Sequence, residues 1–198
     1  GVNRAGFAIT DNEVCEEAAK QEIIRRYLIA LCDYKKGKIE AESLERAKLL
    51  MDELDLKLED RTVIQPARDY VEMKRNCNDR YLNVVGMAIQ LNDGRIITGR
   101  SSRRMVAAGA MILNAVKALA GIEDEVHLIA PDVLEGIQRL KTEFLEQDRT
   151  SLTCEEILTA LVVSGTTNPI AAKALEYLKE LKGCRAHCTA ILSDRDEY

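Results

Sequence analysis

Between Met105 and Val116 the chain offers a single polar side chain, Asn114. A helix of that composition is apolar around its whole circumference, so it must be buried around its whole circumference. Such a helix needs a layer on each side of it. Either a sheet and other helices cover it, or a second copy of the chain does. Gly109, set among alanines, adds the expectation that another backbone approaches closely there.

The flanking sequence supplies the layers. Leu82–Leu91 is rich in Val and Ile and reads as a strand, and Asn92-Asp93-Gly94 reads as a hairpin turn because Asp and Gly tolerate positive φ. Arg95–Thr98 is the return strand. Gly99-Arg100-Ser101-Ser102 then leads into the apolar helix, which Gly121 ends. Downstream, Val126–Ile129 reads as a short strand and Pro131–Phe144 as a helix with Pro at its first position. Thr153 with Glu156 forms a capping box for a helix to about Ser164. Asn168-Pro169 starts a helix that Gly183 stops, and His187–Ser193 reads as a last strand.

Upstream the pattern is helical. Asp11 or Asn12 caps a helix over Glu13–Lys35 with a stripe of Ile23, Ile24, Tyr27, Leu28 and Leu31, closed by Gly37. A second helix covers Ala41–Leu54. A third covers Asp60–Lys74, starting late or kinking at Pro66. The polar run Arg75–Arg80 places a boundary between a helical subdomain, residues 1–78, and an α/β subdomain, residues 79–198. The expected class is α/β: a helical N-terminal lead-in, then a mixed β-sheet, hairpin plus further strands, packed with helices. The first seven residues, Gly1 to Phe7, lack an initiator Met and read as the interior of a longer protein.

Composition removes several functions. The net charge is −5 and basic residues alternate with acidic ones, so no basic face for nucleic acid is built. No apolar run is long enough for a membrane span and no leader is evident, which makes the cytoplasm the expected compartment. The six cysteines sit mostly in apolar settings and read as reduced, buried side chains.

Three constellations could carry chemistry. The first is Ser101-Ser102-Arg103-Arg104, at the expected strand-to-helix junction. Free N–H groups, hydroxyls and guanidiniums there suit a phosphate or carboxylate. Arginines in a helix's first turn oppose the dipole, which calls for an acidic partner or a bound anion. The plainer reading is that Ser101 or Ser102 caps the helix and the arginines are solvated or paired. The second is Thr166-Thr167-Asn168, hydroxyl-rich before another helix but lacking a P-loop's Lys and Gly spacing. A capped turn explains it equally. The third is Cys184, His187 and Cys188. A zinc site wants four ligands, and the only other histidine is His127, so buried cysteines and a strand histidine are the competing reading. A Cys–His nucleophilic pair would lack an orienting third group. His127 itself sits near the C-terminal end of the expected Val126–Ile129 strand, where α/β sites form. No motif assigns a cofactor. The strand–hairpin–strand–helix order resembles the opening of cytidine-deaminase-like folds, without their zinc-binding residues.

Five stretches together match one family. Residues 1–7 (Gly-Val-Asn-Arg-Ala-Gly-Phe), Lys20–Tyr27, Ile112–Lys117, Thr167-Asn168-Pro169 and Lys182–His187 resemble the bacterial family known as domain of unknown function 1846. The resemblance covers essentially the whole chain and places it in the family's C-terminal half. It implies a larger N-terminal part holding a Gly-Ser-Gly-Lys-like stretch, which would be this chain's partner. Some members are labelled ATP-dependent peptidases. It assigns no catalytic residue. Cys188 departs from the pattern, in which Ser follows the His, and this counts against a metal. The function expected is that of a domain from a nucleotide- or phosphate-handling protein. A homo-oligomeric assembly domain and a zinc-dependent hydrolase are the alternatives.

Overall fold

The computed structural model describes residues 11–77 and 82–192. The readings placed on residues 1–7, 78–80 and 193 lie outside the described residues. The chain divides into two compact units, 1–62 and 63–198.

The first unit is a helical hairpin of α1 (Asn12–Lys35) and α2 (Ala41–Glu53), followed by a 3-10 turn at Leu58–Asp60. Asp11 caps α1, its carboxylate accepting from the N–H groups of Glu13 and Val14. Gly37, at φ +70°, carries the chain out of the helix. Gln21 ties the hairpin to the turn. Its amide nitrogen donates to Asp60 O at 2.6 Å, its amide oxygen accepts from Thr62 N at 3.3 Å, and its carbonyl accepts from Arg61 Nη1 at 2.9 Å. Satisfying all of these is what lets Gln21 and Arg61 be buried.

The second unit is built in layers. Strands β1 (Gly86–Gln90), β2 (Ile96–Arg100) and β3 (Arg185–Cys188) form an antiparallel sheet in the order β2-β1-β3. Helix α3 (Ile64–Cys77) covers one face, where Val63 and Ala67 meet Ala88. Helix α4 (Ala107–Ala120) covers the other, where Met111 and Ala115 meet Met87 and Ile89. A second core lies beyond α4. There Val116 packs with Leu134 of α5 (Pro131–Arg139), Ile157 and Leu161 of α6 (Cys154–Gly165), and Ala171 and Ala174 of α7 (Pro169–Glu176). So α4 is covered by the sheet and by helices of the same unit, which meets the demand of its composition. Gly99 is where β2 lies directly on α4, because a Cβ there would be 2.5 Å from Met111 Cα. Gly109 faces the Ile157 side chain, not another backbone.

The α/β class stands, a helical lead-in followed by a sheet packed with helices. Several details differ. Val126–Ile129 is not a strand; Leu128 and Ile129 are buried in the second core from an irregular segment. Without that strand the described sheet is antiparallel throughout instead of mixed. The third helix begins at Ile64, with Pro66 in its first turn, where no N–H is needed. It packs on β1 and belongs to the second compact unit, which begins at Val63. Pro131–Phe144 is an α-helix to Arg139 and a π turn over Leu140–Phe144. Of the cysteines only Cys154 is buried; Cys15 and Cys77 are exposed.

Candidate functional site

The loop from β2 to α4 is longer than the sequence pattern implies. The helix starts at Ala107 with Val106 as its N-cap, so neither Ser101 nor Ser102 caps it. Ser101 continues the strand pairing: its N–H donates to Val85 O at 2.8 Å and its hydroxyl accepts from Val85 N at 2.9 Å. The Ser102 hydroxyl accepts from the N–H groups of Arg104 and Met105, each at 3.2 Å, closing a tight turn. Val106 N then donates to Leu152 O. Arg103 and Arg104 therefore precede the first helical turn, and the dipole penalty expected of them does not arise. Arg104 pairs with Glu135 of α5 at 3.1 Å, both side chains about half exposed. The Arg103 carbonyl accepts from Gln138.

What this loop does build is a wall. A cavity of about 220 Å³ opens between it, one face of α4, the irregular segment and the start of α5. Ser102, Arg104 and Met105 form one side. Ala110, Leu113, Asn114 and Lys117, spaced as a single helix face, form the floor. His127, Leu128 and Ile129 form the second side, closed by Pro131 and Leu134. Ser102 and Arg104 from one stretch chosen in the sequence thus meet His127 from another, whereas Ser101 and Arg103 do not line the cavity. Asn114 and Lys117 are additions that sequence reasoning missed. Their three-residue spacing on an otherwise apolar helix was the available signal.

The charges lining the cavity are of one sign. Arg104 and Lys117 are cationic, and no carboxylate is among the lining residues, in a chain whose net charge is −5. Lys117 is buried, and its ammonium donates to Asp124 O at 2.8 Å. Burial pulls its pKa below the ordinary lysine value, while Asp124 and Glu125 act in the opposite direction. An ammonium carries three donors, so one bond to a carbonyl leaves capacity for a ligand. Asn114 Nδ2 donates to Thr98 O at 2.8 Å. His127 is exposed at the rim. Donors interleaved with apolar side chains can hold an anionic group on a small apolar body.

The other sequence candidates lie elsewhere. Thr166, Thr167 and Asn168 form the turn between α6 and α7. Asn168 caps α7, accepting from the N–H groups of Ile170 and Ala171, and the Thr166 hydroxyl donates to Val163 O. None of the three lines the cavity. Cys188 pairs in register with Met87 and packs on the α4 side of the sheet. His187 pairs with Ala88, whose side chain meets α3 on the opposite side. Neighbouring strand residues point to opposite faces, so His187 and Cys188 cannot share one metal. Among the described residues no three His, Cys, Asp or Glu side chains are grouped as metal ligands. Cys184 lies 3.8 Å from Asn92 Oδ1 and 3.5 Å from Glu180 O. Burial pushes its thiol up, which disfavours the thiolate a nucleophile needs. No described helix is long and apolar enough to cross a membrane.

Two curated relatives similar to this chain are named as UPF0371 proteins. The UPF0371 protein of Clostridium botulinum (strain Langeland / NCTC 10281 / Type F) is 50% identical over 197 residues, which is 100% of this chain and 39% of that relative. The UPF0371 protein of Clostridium tetani (strain Massachusetts / E88) is 50% identical over 198 residues, with the same coverage. This chain thus spans well under half the length of the curated relatives it matches. Residues 1–55 match the family model for the N-terminal domain of unknown function DUF1846, and residues 59–198 match the model for its C-terminal domain. The chain belongs to the DUF1846 family.

Proposed function

We propose that the second unit is a ligand-binding part of a phosphate-handling protein, and that the cavity beside α4 takes a phosphate- or carboxylate-bearing small molecule. The observation that carries this reading is the one-signed lining, Arg104 and Lys117 with no carboxylate, within an acidic chain. Ser102, Asn114 and His127 are further polar groups at the same walls. A cavity of about 220 Å³ is smaller than the sites that enclose whole drug-sized ligands. A nucleotide would therefore enter by its phosphates and leave its base outside.

Ligand and Glu135 compete for Arg104. A bound anion replaces the exposed Arg104–Glu135 pair, which is worth about 0–1 kcal/mol and so is readily given up. Calorimetric titration with inorganic phosphate, a nucleoside diphosphate and a short dicarboxylate tests the reading. Arg104→Gln removes a charged hydrogen bond worth about 1.5–3 kcal/mol and weakens binding by about tenfold or more. Glu135→Gln strengthens it by freeing Arg104. No binding by any of the three at millimolar concentration, or binding indifferent to both substitutions, would sink the reading.

A further inference from the structure

Helix α1 is longer than α2, the helix it pairs with. At 1.5 Å per residue its 24 residues span about 36 Å, against about 20 Å for the 13 residues of α2. The surplus lies at its start, where residues 11–19 are exposed without exception. That stretch is not a purely solvated face. Val14, 63% exposed, and Ala18 stand one turn apart, with Cys15 and Ala19 beside them. Leu50 and Leu54, also one turn apart, are exposed near the end of α2. Among the unit's described residues the buried apolar side chains are Ile24 and Met51. Residues 1–55 match the N-terminal family domain, while this chain supplies 39% of its relatives' length.

We infer that the first turns of α1, around Val14, Cys15 and Ala18, are a docking face for the rest of the N-terminal family domain, the part that comes before residue 1 in the longer polypeptide. The hairpin is then the closing element of that domain, with α1 packed on one side by α2 and on another by the preceding chain. This inference is independent of the ligand cavity.

Cys15 reports on the face directly. The 198-residue chain and a polypeptide of the relatives' length are treated with a maleimide, and modification of Cys15 is followed by peptide mass spectrometry. Cys15 reacts freely in the shorter chain and at least about tenfold more slowly in the longer one, as a thiol shielded by packing does. Equal rates overturn the inference. Protection that appears in the 198-residue chain as its concentration rises also overturns it, because the occupant is then a second copy. Val14→Asp and Ala18→Asp give a readout without the thiol. They lower the thermal unfolding midpoint of the longer polypeptide and leave that of the shorter chain unchanged. A midpoint unchanged in both overturns the inference.

Discussion

Two carboxylates show how burial decides what an ion pair is worth. Glu22 accepts from Arg25 and Arg26, and those hydrogen bonds hold its pKa down to about 2. All three side chains are well exposed, so solvent screens the pairs and little stability follows. Glu156 differs. It accepts from Lys141 Nζ at 2.7 Å and from Thr153 N at 2.7 Å, and the Lys141 side chain is 3% exposed. Burial raises the Glu156 pKa, but Lys141 and Thr153 together outweigh it and the net shift is downward. A folded-state pKa below the ordinary 4.5 gives stabilisation that is in place above pH 4.5 and lost as pH falls through the folded value. Glu156→Gln keeps the capping geometry but leaves a buried ammonium paired only with Ser151 O. It should cost about 2–3 kcal/mol at neutral pH, and the gap to the unsubstituted chain should shrink at an acid pH below the ordinary 4.5, as the folded-state carboxylate is protonated. Urea midpoints at the two pH values measure this. A gap that does not change with pH would refute the assignment.

Among elements, the contact between β2 and α4 sets the tightest tolerance. A Cβ on Gly99 would fall on the backbone of Met111 and within 2.8 Å of the Ala110 carbonyl carbon. Backbone cannot rotate aside as a side chain can, so Gly99→Ala must push the sheet off the helix. About 3 kcal/mol or more is expected. Gly94 tests the alternative cause: it sits at φ +86° with open space around it, so Gly94→Ala costs only the strained turn, about 1 kcal/mol. Thermal unfolding of the two variants should rank them in that order, and the reverse order would mean that turn strain outweighs close packing. The Gly99 contact is not visible in sequence, although the glycine is. What was legible was local. The Thr153–Glu156 capping box, the Asn168 cap and the Gly94, Gly121 and Gly183 exits each depend on residues within four positions. Val126–Ile129 was misread because a short apolar run looks the same whether it pairs in a sheet or plugs a gap between helices. The candidate cavity was half legible for a related reason. Ser102, Arg104 and His127 drew attention by residue type, but only the fold brings them to Asn114 and Lys117.

On the scale of the whole molecule, burial is divided very unevenly between the two units. Among the described residues, Ile24 and Met51 are the buried apolar side chains before residue 63; the rest of the buried hydrophobic residues, including every member of the described core clusters, come after it. Apolar burial at about 25 cal/mol per Å² has to offset a backbone entropy of about 1–2 kcal/mol per residue. A hairpin whose described residues bury two apolar side chains does not reach that balance alone, whereas a unit with two packed layers around α4 does. The chain should therefore separate at the 62/63 boundary into parts with opposite behaviour. Residues 63–198 should retain a single cooperative thermal transition by far-UV circular dichroism. Residues 1–62 should show a shallow, non-cooperative loss of helix, since its isolated helices lack tertiary support. A sharp transition in the short piece, or its absence in the long one, would show that the division seen in burial is not a division of stability. If the expected pattern holds, the second unit, which begins at Val63 inside the C-terminal family match over residues 59–198, is a stable domain, and the described residues of the hairpin do not order it by themselves.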